Sequence, residues 1–157
     1  MIDARITDGP LDAQAELDRF LNNASADGDG AVASFVGIAR PSTRNGERVT
    51  AMFLDHHPSL THESVAGIAA DAKDRFAVSA VLAVHRCGAI AAGEAIVLVA
   101  ASSPHRRAAF EATDYMMDRL KTEAVFWKRE DTPDTSRWIE PTEADYTDRT
   151  RWSEDGN

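Results

Sequence analysis

A cluster of cationic side chains at the predicted start of a long helix is the first feature that could do chemistry. Ser103 can cap this helix, and Pro104 suits its first position. The next three residues, His105, Arg106 and Arg107, fall in a first turn whose dipole and unpaired N–H groups already favour anions. Three cations there predict a site completed by a negative group such as a phosphate. The alternative is that these side chains splay into solvent or pair with acids elsewhere.

Lysines are scarce in this chain and therefore informative. The 17 basic residues comprise 14 Arg and only 3 Lys, namely Lys73, Lys121 and Lys128. A lysine can lose its proton when its surroundings favour the neutral amine, whereas an arginine stays charged. A lysine in so arginine-rich a chain therefore indicates a place where arginine would not serve, with chance survival as the alternative for each one.

Two of these lysines lie close together in the sequence, at the far end of the long predicted helix. Steps of about four residues back from Lys121 lead to Met117 and Phe110, which predicts a position near the buried edge of the helix. The alternative is a C-terminal lysine that favours the helix dipole. Lys128 follows in Phe-Trp-Lys-Arg-Glu, where a strand would place Phe126 and Lys128 on one face. Aromatic neighbours and a second lysine both favour the neutral amine, which predicts a general acid or base, or a nucleophile.

The remaining candidates for chemistry carry weaker signals. Arg40 closes a predicted strand, where it could point at a ligand or could equally be a solvated loop residue. His56 and His57 are adjacent, so a strand turns them to opposite faces, and His62 and His85 have no partners at ligand spacing. We therefore expect no metal site. The motifs of serine hydrolases, P-loop NTPases and Rossmann enzymes do not occur.

Composition and charge bound the class of protein. A chain of 157 residues with 43% apolar residues predicts one globular domain. The net charge of −9 disfavours a nucleic-acid binder, yet it comes from residues 1–30 and 131–157, which each carry −5, while residues 31–130 carry +1. No apolar run approaches the roughly 20 residues that cross a bilayer, and the first five residues lack the basic-then-apolar layout that predicts a secretory signal. The single cysteine, Cys87, excludes an internal disulfide and indicates a reducing, cytoplasmic setting.

Hydrophobic periodicity predicts an α+β domain. Helices are predicted at residues 11–21, 59–76 and 104–123, and strands at 31–37, 49–57, 78–85, 94–102, 125–129 and 137–140. An Asn45-Gly46 pair could close a hairpin between the first two strands. After the first short helix the main order is β-β-α-β-β-α-β, within a single domain at 1–145. Residues 146–157 are predicted to form an acidic, loose tail.

Several segments, taken in order, resemble the large, catalytic subunit of molybdopterin synthase. No single segment is distinctive, but together they span about residues 5–140. The segments are Gly-Ala-Val at 30–32, Ser-Phe-Val-Gly-Ile-Ala-Arg at 34–40, Leu-Asp-His-His-Pro at 54–58, Val-His-Arg-Cys-Gly at 84–88, Ser-Pro-His-Arg-Arg-Ala-Ala-Phe-Glu at 103–111, Met-Asp-Arg-Leu-Lys at 117–121, Phe-Trp-Lys-Arg-Glu at 126–130 and Arg-Trp at 137–138.

The resemblance implies a fold, a reaction and partners. It implies an α/β-hammerhead fold with antiparallel or mixed sheets and two main helices. It also implies a homodimer in which each subunit binds a small ubiquitin-like sulfur carrier ending in Gly-Gly, giving a heterotetramer. Sulfur from the carrier's C-terminal thiocarboxylate would convert cyclic pyranopterin monophosphate to molybdopterin in the cytoplasm. Because the carrier supplies the sulfur, no further cofactor is expected.

The resemblance also implies roles for particular residues. Lys121 and Lys128 match the family's catalytic lysines. The family's substrate contacts match positions Phe35, Ile38, Ala39, Arg40, His105, Arg106, Met117, Arg129 and Glu130. Ile38 stands where the family commonly has a lysine, so one charged contact is missing, and Leu-Asp-His-His replaces the family's Leu-Glu-His-Tyr.

Two other functions remain open from the sequence. One is a non-catalytic paralogue that binds the sulfur carrier without turnover, against which the two intact lysines argue. The other is a module that binds a phosphorylated metabolite and has no carrier partner. Neither nucleic acid nor a membrane is an expected partner.

Overall fold

The computed structural model describes residues 1–153, which form eight strands and four helices. In chain order these are β1 (Ile2–Thr7), α1 (Ala13–Ala26), β2 (Ala31–Ile38), β3 (Ala51–His56), α2 (Pro58–Phe76), β4 (Ala80–Arg86), β5 (Gly88–Ile90), β6 (Ala95–Ser103), α3 (Arg106–Thr122), β7 (Phe126–Asp131), β8 (Ser136–Ile139) and α4 (Glu143–Thr150). The α+β class is confirmed, with α2 and α3 as its two longest helices.

The first sheet forms the centre of the molecule. Its strand order is β1-β4-β6-β2, with β1 parallel to β4 and the other pairs antiparallel. The nearly continuous apolar runs of β4 and β6 occupy the middle, as their sequences predict. Helices α2 and α3 cover one face, where Val65 and Met116 pack with Val99, and α1 covers the other through Phe20.

The second sheet is antiparallel and carries Lys128, one of the two lysines singled out as candidates for chemistry. Its strand order is β5-β3-β7-β8, and Lys128 of β7 lies between Leu54 of β3 and Ile139 of β8. The two sheets meet where the His85 ring stacks on Phe126, with 4.1 Å between the ring centroids. The joint therefore lies two residues from Lys128.

The predicted hairpin between the first two strands is wrong. Strand β2 pairs with β6 in the first sheet, whereas β3 pairs with β5 and β7 in the second. The Asn45-Gly46 turn closes a smaller local loop, in which Ser42 and Arg48 form an isolated bridge. Burial of the strand faces against different cores decides the pairing, and a favourable turn sequence cannot override that.

Three further elements depart from the sequence prediction. Strand β1 was missed, and the connection between β4 and β6 contains the short strand β5. The expectation of a loose tail is wrong for residues 146–153, because α4 begins with a capping box at Thr142 and docks against α3. The Trp152 ring packs edge-on against Phe76 and Tyr115, an anchor that acidic composition conceals. The rest of the predicted tail, 154–157, lies outside the described residues.

Candidate active site

The start of α3 is a cationic, uncapped helix terminus. The helix begins at Arg106, and His105 is an N-cap residue whose side chain makes no capping hydrogen bond. The predicted cap by Ser103 is wrong, because its hydroxyl donates to the His105 carbonyl at 2.5 Å and accepts from the His105 N–H. The first-turn N–H groups therefore remain available for an anion.

These cations face an open cavity of about 650 Å³. Arg107 pairs with Glu111, with 3.5 Å between nitrogen and oxygen. The alternative that these side chains pair with acids therefore holds for Arg107. Within residues 1–153, neither His105 nor Arg106 has a salt-bridge partner. The cavity is lined by Gly30, Ala31, Pro104, His105, Arg106, Arg107, Phe110 and Glu111.

Gly30 is a site residue whose role sequence reasoning missed. A Cβ at this position would lie 2.7 Å from the Pro104 carbonyl oxygen, a distance that side chains do not tolerate. The glycine therefore lets the start of β2 approach the start of α3, and this close approach forms one wall of the cavity. Its place directly before a predicted strand was the available signal.

Lys121 lies in the last turn of α3 and is more exposed than predicted. Its side chain is 57% exposed, and the adjacent Leu120 is the residue that faces the core. The Lys121 Nζ lies 3.8 Å from an Asp145 carboxylate oxygen at the start of α4. The expected position near the buried edge is therefore wrong, and the lysine points to a surface shared by two helices.

Asp145 is a second group that sequence reasoning did not single out. Although burial raises its pKa, hydrogen bonds from the Thr142 N–H and hydroxyl, with the charges of Lys121 and Arg44, hold the pKa of Asp145 below its ordinary value. The carboxylate is therefore charged and faces Lys121. A Thr-x-x-Asp spacing at 142–145 was the available signal.

Lys128 is the more enclosed of the two lysines. Its side chain is 38% exposed, and its Nζ lies 3.2 Å from a Glu130 carboxylate oxygen on the same face of β7. Phe126 shares that face and packs into the cores, whereas the ring of Trp127 is exposed. The strand alternation predicted around Lys128 is thus confirmed, and Glu130 is placed as the lysine's partner.

Arg129 lies on the opposite face of the second sheet from Lys128. Its guanidinium sits over the rings of Phe53 and Trp138, at 5.2 and 5.9 Å from their centroids, and pairs with Asp131 at 3.0 Å. These contacts occupy the side chain. The structure therefore does not bring Arg129 together with the two lysines.

The end of β2 places Arg40 beside the second sheet. Ala39 is only 2% exposed, packs with Leu54, donates its N–H to the Glu94 carbonyl and accepts from Gly93. Its side chain faces the core, so Ala39 fixes the backbone that leads to the exposed Arg40. Because Ala39 packs with Leu54, which pairs with Lys128, the segment that carries Arg40 borders the strand next to Lys128.

The other predicted contacts separate into exposed and packed positions. Ile38 and Phe35 are both exposed on β2, which is an edge strand of the first sheet. Met117 is half-buried and packs against the core beneath α3. Phe35 and Ile38 therefore offer an apolar surface, and Met117 lies close to the lysine end of its helix.

The predicted cations form two groups at opposite ends of α3. His105 and Arg106 lie at its start, and Lys121 lies in its last turn, with Lys128 on the strand that follows. A helix of 17 residues is roughly 25 Å long at about 1.5 Å per residue. One small anion cannot contact both groups within a single copy of the chain.

Metal clusters and membrane-spanning helices are both absent from residues 1–153. Residues 1–153 contain no group of three or more His, Cys, Asp or Glu side chains arranged to hold a metal ion. Among the helices in that part of the chain, none has the length and apolarity to cross a membrane.

Known proteins share this sequence and fold. The family model described as MoaE protein matches residues 6–123. A molybdopterin synthase catalytic subunit from Caulobacter vibrioides is 45% identical over 150 residues, which cover 96% of this chain and 97% of the relative. A solved molybdopterin biosynthesis MoaE protein from Burkholderia ambifaria MC40-6 has a TM-score of 0.81 at 37% identity, covering 99% of this chain and 100% of that one.

A solved complex of subunits 1 and 2 of molybdopterin-converting factor from Helicobacter pylori 26695 shares the fold. Its matching chain has a TM-score of 0.73 at 23% identity, covering 88% of this chain and 89% of that one. Fold, site and relatives together define an α+β enzyme of molybdenum cofactor biosynthesis. The chain belongs to the MoaE family.

Proposed function

We propose that this chain transfers sulfur, one atom in each of two transfers, from the C-terminal thiocarboxylates of small ubiquitin-like carriers to cyclic pyranopterin monophosphate, forming the dithiolene of molybdopterin. The observation that carries the proposal is the pair of lysines, Lys121 and Lys128, that flank a short connection between α3 and β7. The relatives' name, molybdopterin synthase catalytic subunit, supports the same reaction.

The lysines have distinct roles in this proposal. Lys121 is the more accessible amine, and it acts as the acid or base, or stabilises the carrier's acyl group, when the sulfur leaves. Lys128 is half-enclosed beside Glu130, and it holds the substrate and stabilises negative charge during transfer. Each ammonium faces a carboxylate in the free chain, so an incoming anion exchanges one negative partner for another.

The cavity at the start of α3 binds the cyclic phosphate. First-turn N–H groups and the helix dipole favour a negative group there, as do Arg106 and His105, which have no salt-bridge partner within residues 1–153. Arg40 follows the segment that packs on the strand beside Lys128, and in this proposal it adds a further positive charge for either anion. The carrier brings the reacting sulfur, so the proposal needs no resident cofactor.

A second copy of the chain completes the site. The two cationic groups lie roughly 25 Å apart along one helix, so phosphate bound at one end cannot place its pterin at the other. Strand β2 leaves one edge unpaired and exposes Phe35 and Ile38 there. Unpaired apolar edges are normally covered in native proteins. Both features support a homodimer that joins the phosphate site of one copy to the lysines of the other, with one carrier bound to each copy.

Reconstitution is the direct test of the reaction. Purified protein, thiocarboxylated carrier and cyclic pyranopterin monophosphate should together yield dithiolene and carrier with a free carboxylate. Carrier binding without product would instead identify a non-catalytic paralogue. Phosphate binding with no carrier capture, measured with a Gly-Gly-tailed carrier as bait, would identify a metabolite-binding module.

Mixing two impaired variants tests the shared site, with cyclic pyranopterin monophosphate held well below its KM so that a loss of binding also lowers the rate. Lys121→Ala alters the lysine part of the site and Arg106→Ala alters the phosphate part. If each site combines parts of two copies, a mixed dimer contains one intact site and one site that carries both substitutions. Random exchange makes half of the dimers mixed, and about a quarter of wild-type activity should return. If the mixture shows only the mean activity of its two components after subunit exchange, all the groups act within one copy and the shared site is wrong.

A further inference from the structure

The connection between α3 and β7 is held by hydroxyl groups of another helix. Val125, in this connection, accepts a hydrogen bond at its carbonyl from the Thr61 hydroxyl, with 2.6 Å between the oxygens. The Val125 N–H donates to the Ser64 hydroxyl oxygen at 3.2 Å. Two side chains of α2 therefore bind both polar groups of one peptide residue.

The same hydroxyls are fixed within α2. Thr61 is completely buried, and its oxygen also accepts from the His57 N–H at 3.0 Å. The Ser64 hydroxyl donates to the Thr61 carbonyl at 2.8 Å. Each hydroxyl thus donates once and accepts once, so neither can rotate away from Val125 without losing a bond.

The first residue of β7, directly after the connection, is held by the first sheet. The ring of Phe126 stacks on the His85 ring at an angle of 25°. Burial lowers the pKa of His85 to about 4, so both rings are uncharged near neutral pH. The His85 Nδ1 lies 2.8 Å from the Arg86 carbonyl oxygen, which fixes the orientation of the ring.

These contacts lie between the two lysines in the sequence. Lys121 precedes Val125 by four residues on a helix, and Lys128 follows it by three on a strand. Each lysine side chain is partly exposed and has a single carboxylate partner among residues 1–153. The relative position of the two amines therefore depends on the backbone that joins their elements.

We propose that Thr61 and Ser64 are positioning residues that set the spacing of Lys121 and Lys128 by holding Val125. This inference rests on the proposed roles of the two lysines. A shift of about 1 Å in the connection would move one amine relative to the other, and misplacement on that scale can cost about 10²-fold in rate.

Thr61→Val is the primary test because it keeps the shape of the side chain and removes the hydroxyl. The turnover number for dithiolene formation should fall about 10-fold or more, while KM for carrier and for pterin stays within about 2-fold. Thr61→Ser keeps the hydroxyl and should restore turnover to within about 3-fold of wild type. Ser64→Ala should lower turnover in the same direction by a smaller factor, since it releases only the Val125 N–H.

Thr113→Val is the matched control. Thr113 is also buried, but its hydroxyl donates within α3 to the Ala109 carbonyl at 2.8 Å and lies 3.3 Å from the Ala33 carbonyl. The Thr113→Val variant therefore removes a buried hydroxyl but leaves both hydrogen bonds to Val125 unchanged. Its melting temperature should fall, as in Thr61→Val, but its turnover number should stay at the wild-type value.

The lysine variants separate failure of this inference from failure of the function. Retained activity in both Lys121→Ala and Lys128→Ala would remove the function on which the positioning depends. With those variants inactive, wild-type turnover in Thr61→Val and Ser64→Ala would overturn the positioning role even if both melt early. If Thr61→Val does not fold, the Ser64→Ala turnover number decides alone.

Discussion

The two ends of α3 carry similar charge but are prepared for different tasks. At the start, His105 and Arg106 face an open cavity, and within the described chain neither has an acidic partner. At the other end, Lys121 faces Asp145, and Lys128, on the following strand, faces Glu130. The start is therefore ready to accept an anion, whereas the lysine end must first exchange an internal carboxylate.

The difference suggests how binding and chemistry are divided. A site without internal partners binds an anion and loses no existing pair, so its contribution is to affinity. A lysine that already faces a carboxylate contributes less to the affinity for an anion, because the existing ion pair is lost when the anion binds. Its value lies in charge that develops during the reaction, when a fixed ammonium can stabilise an intermediate.

Lys121→Ala should break the lysine end with the largest effect. We expect turnover to fall by about 10²- to 10⁴-fold, the range for loss of a general acid or base, with the fold unchanged because the side chain is exposed. Dithiolene formation at saturating carrier and pterin measures this. Lys73→Ala on α2 is the control lysine and should keep wild-type turnover. Wild-type-like product formation by Lys121→Ala would contradict the assignment.

Arg106→Ala should weaken the other end in a different way. KM for cyclic pyranopterin monophosphate should rise about 10-fold, while the turnover number changes little, because a binding contact is lost. The rise should shrink at high salt, since screening already weakens the wild-type contact. Arg107→Ala is the neighbouring control, and its pairing with Glu111 predicts a smaller rise in KM. Equal effects of the two variants would show that the cavity has no specific cation.

The Asp145 contact predicts a modest acid dependence of stability. Its pKa is lowered in the folded chain, so its stabilising effect is present above the unfolded pKa of about 4 and is lost as pH falls through the folded pKa. Asp145→Asn should therefore lower the urea midpoint at pH 7, and the gap from wild type should narrow toward pH 2. A gap that is constant with pH would mean that the carboxylate charge contributes nothing.

Removing the Thr142 hydroxyl tests the cap of α4 itself at a single, neutral pH. Thr142→Ala should destabilise the start of α4 by about 1 kcal/mol, the usual cost of losing an N-cap. The urea midpoint at neutral pH measures the loss. An unchanged midpoint would show that α4 contributes little to global stability.

Local patterns predicted most of the fold because they report burial directly. The apolar runs of β4 and β6 identify central strands, and the helical stripes of α2 and α3 identify the cover. The hairpin failed because strand pairing joins distant segments, and β2 pairs with a strand about 60 residues away. The tail failed because Trp152 anchors it through aromatic contacts with Phe76 and Tyr115, which local composition does not reveal.

The candidate site shows the same contrast between what local sequence predicts and what contacts between distant segments decide. Residue type and spacing were sufficient to single out Lys121, Lys128, His105 and Arg106 as chemically capable. They could not place Arg129, because its guanidinium is held on the opposite face by Phe53 and Trp138 of the two neighbouring strands and by Asp131. Likewise, Ile38 reads as an apolar replacement of a family lysine, and only the edge position of β2 explains its exposure.

The sequence by itself determined which groups are present and in what local setting: a cationic helix start, two lysines among fifteen other long cations, and acidic ends around a slightly basic middle. These follow from covalent order and from helix and strand periods. Only the tertiary structure decided that the two cationic groups lie roughly 25 Å apart, that Asp145 faces Lys121, and that α2 holds the connection at Val125. Each of these depends on packing between segments distant in the chain, which no local period encodes.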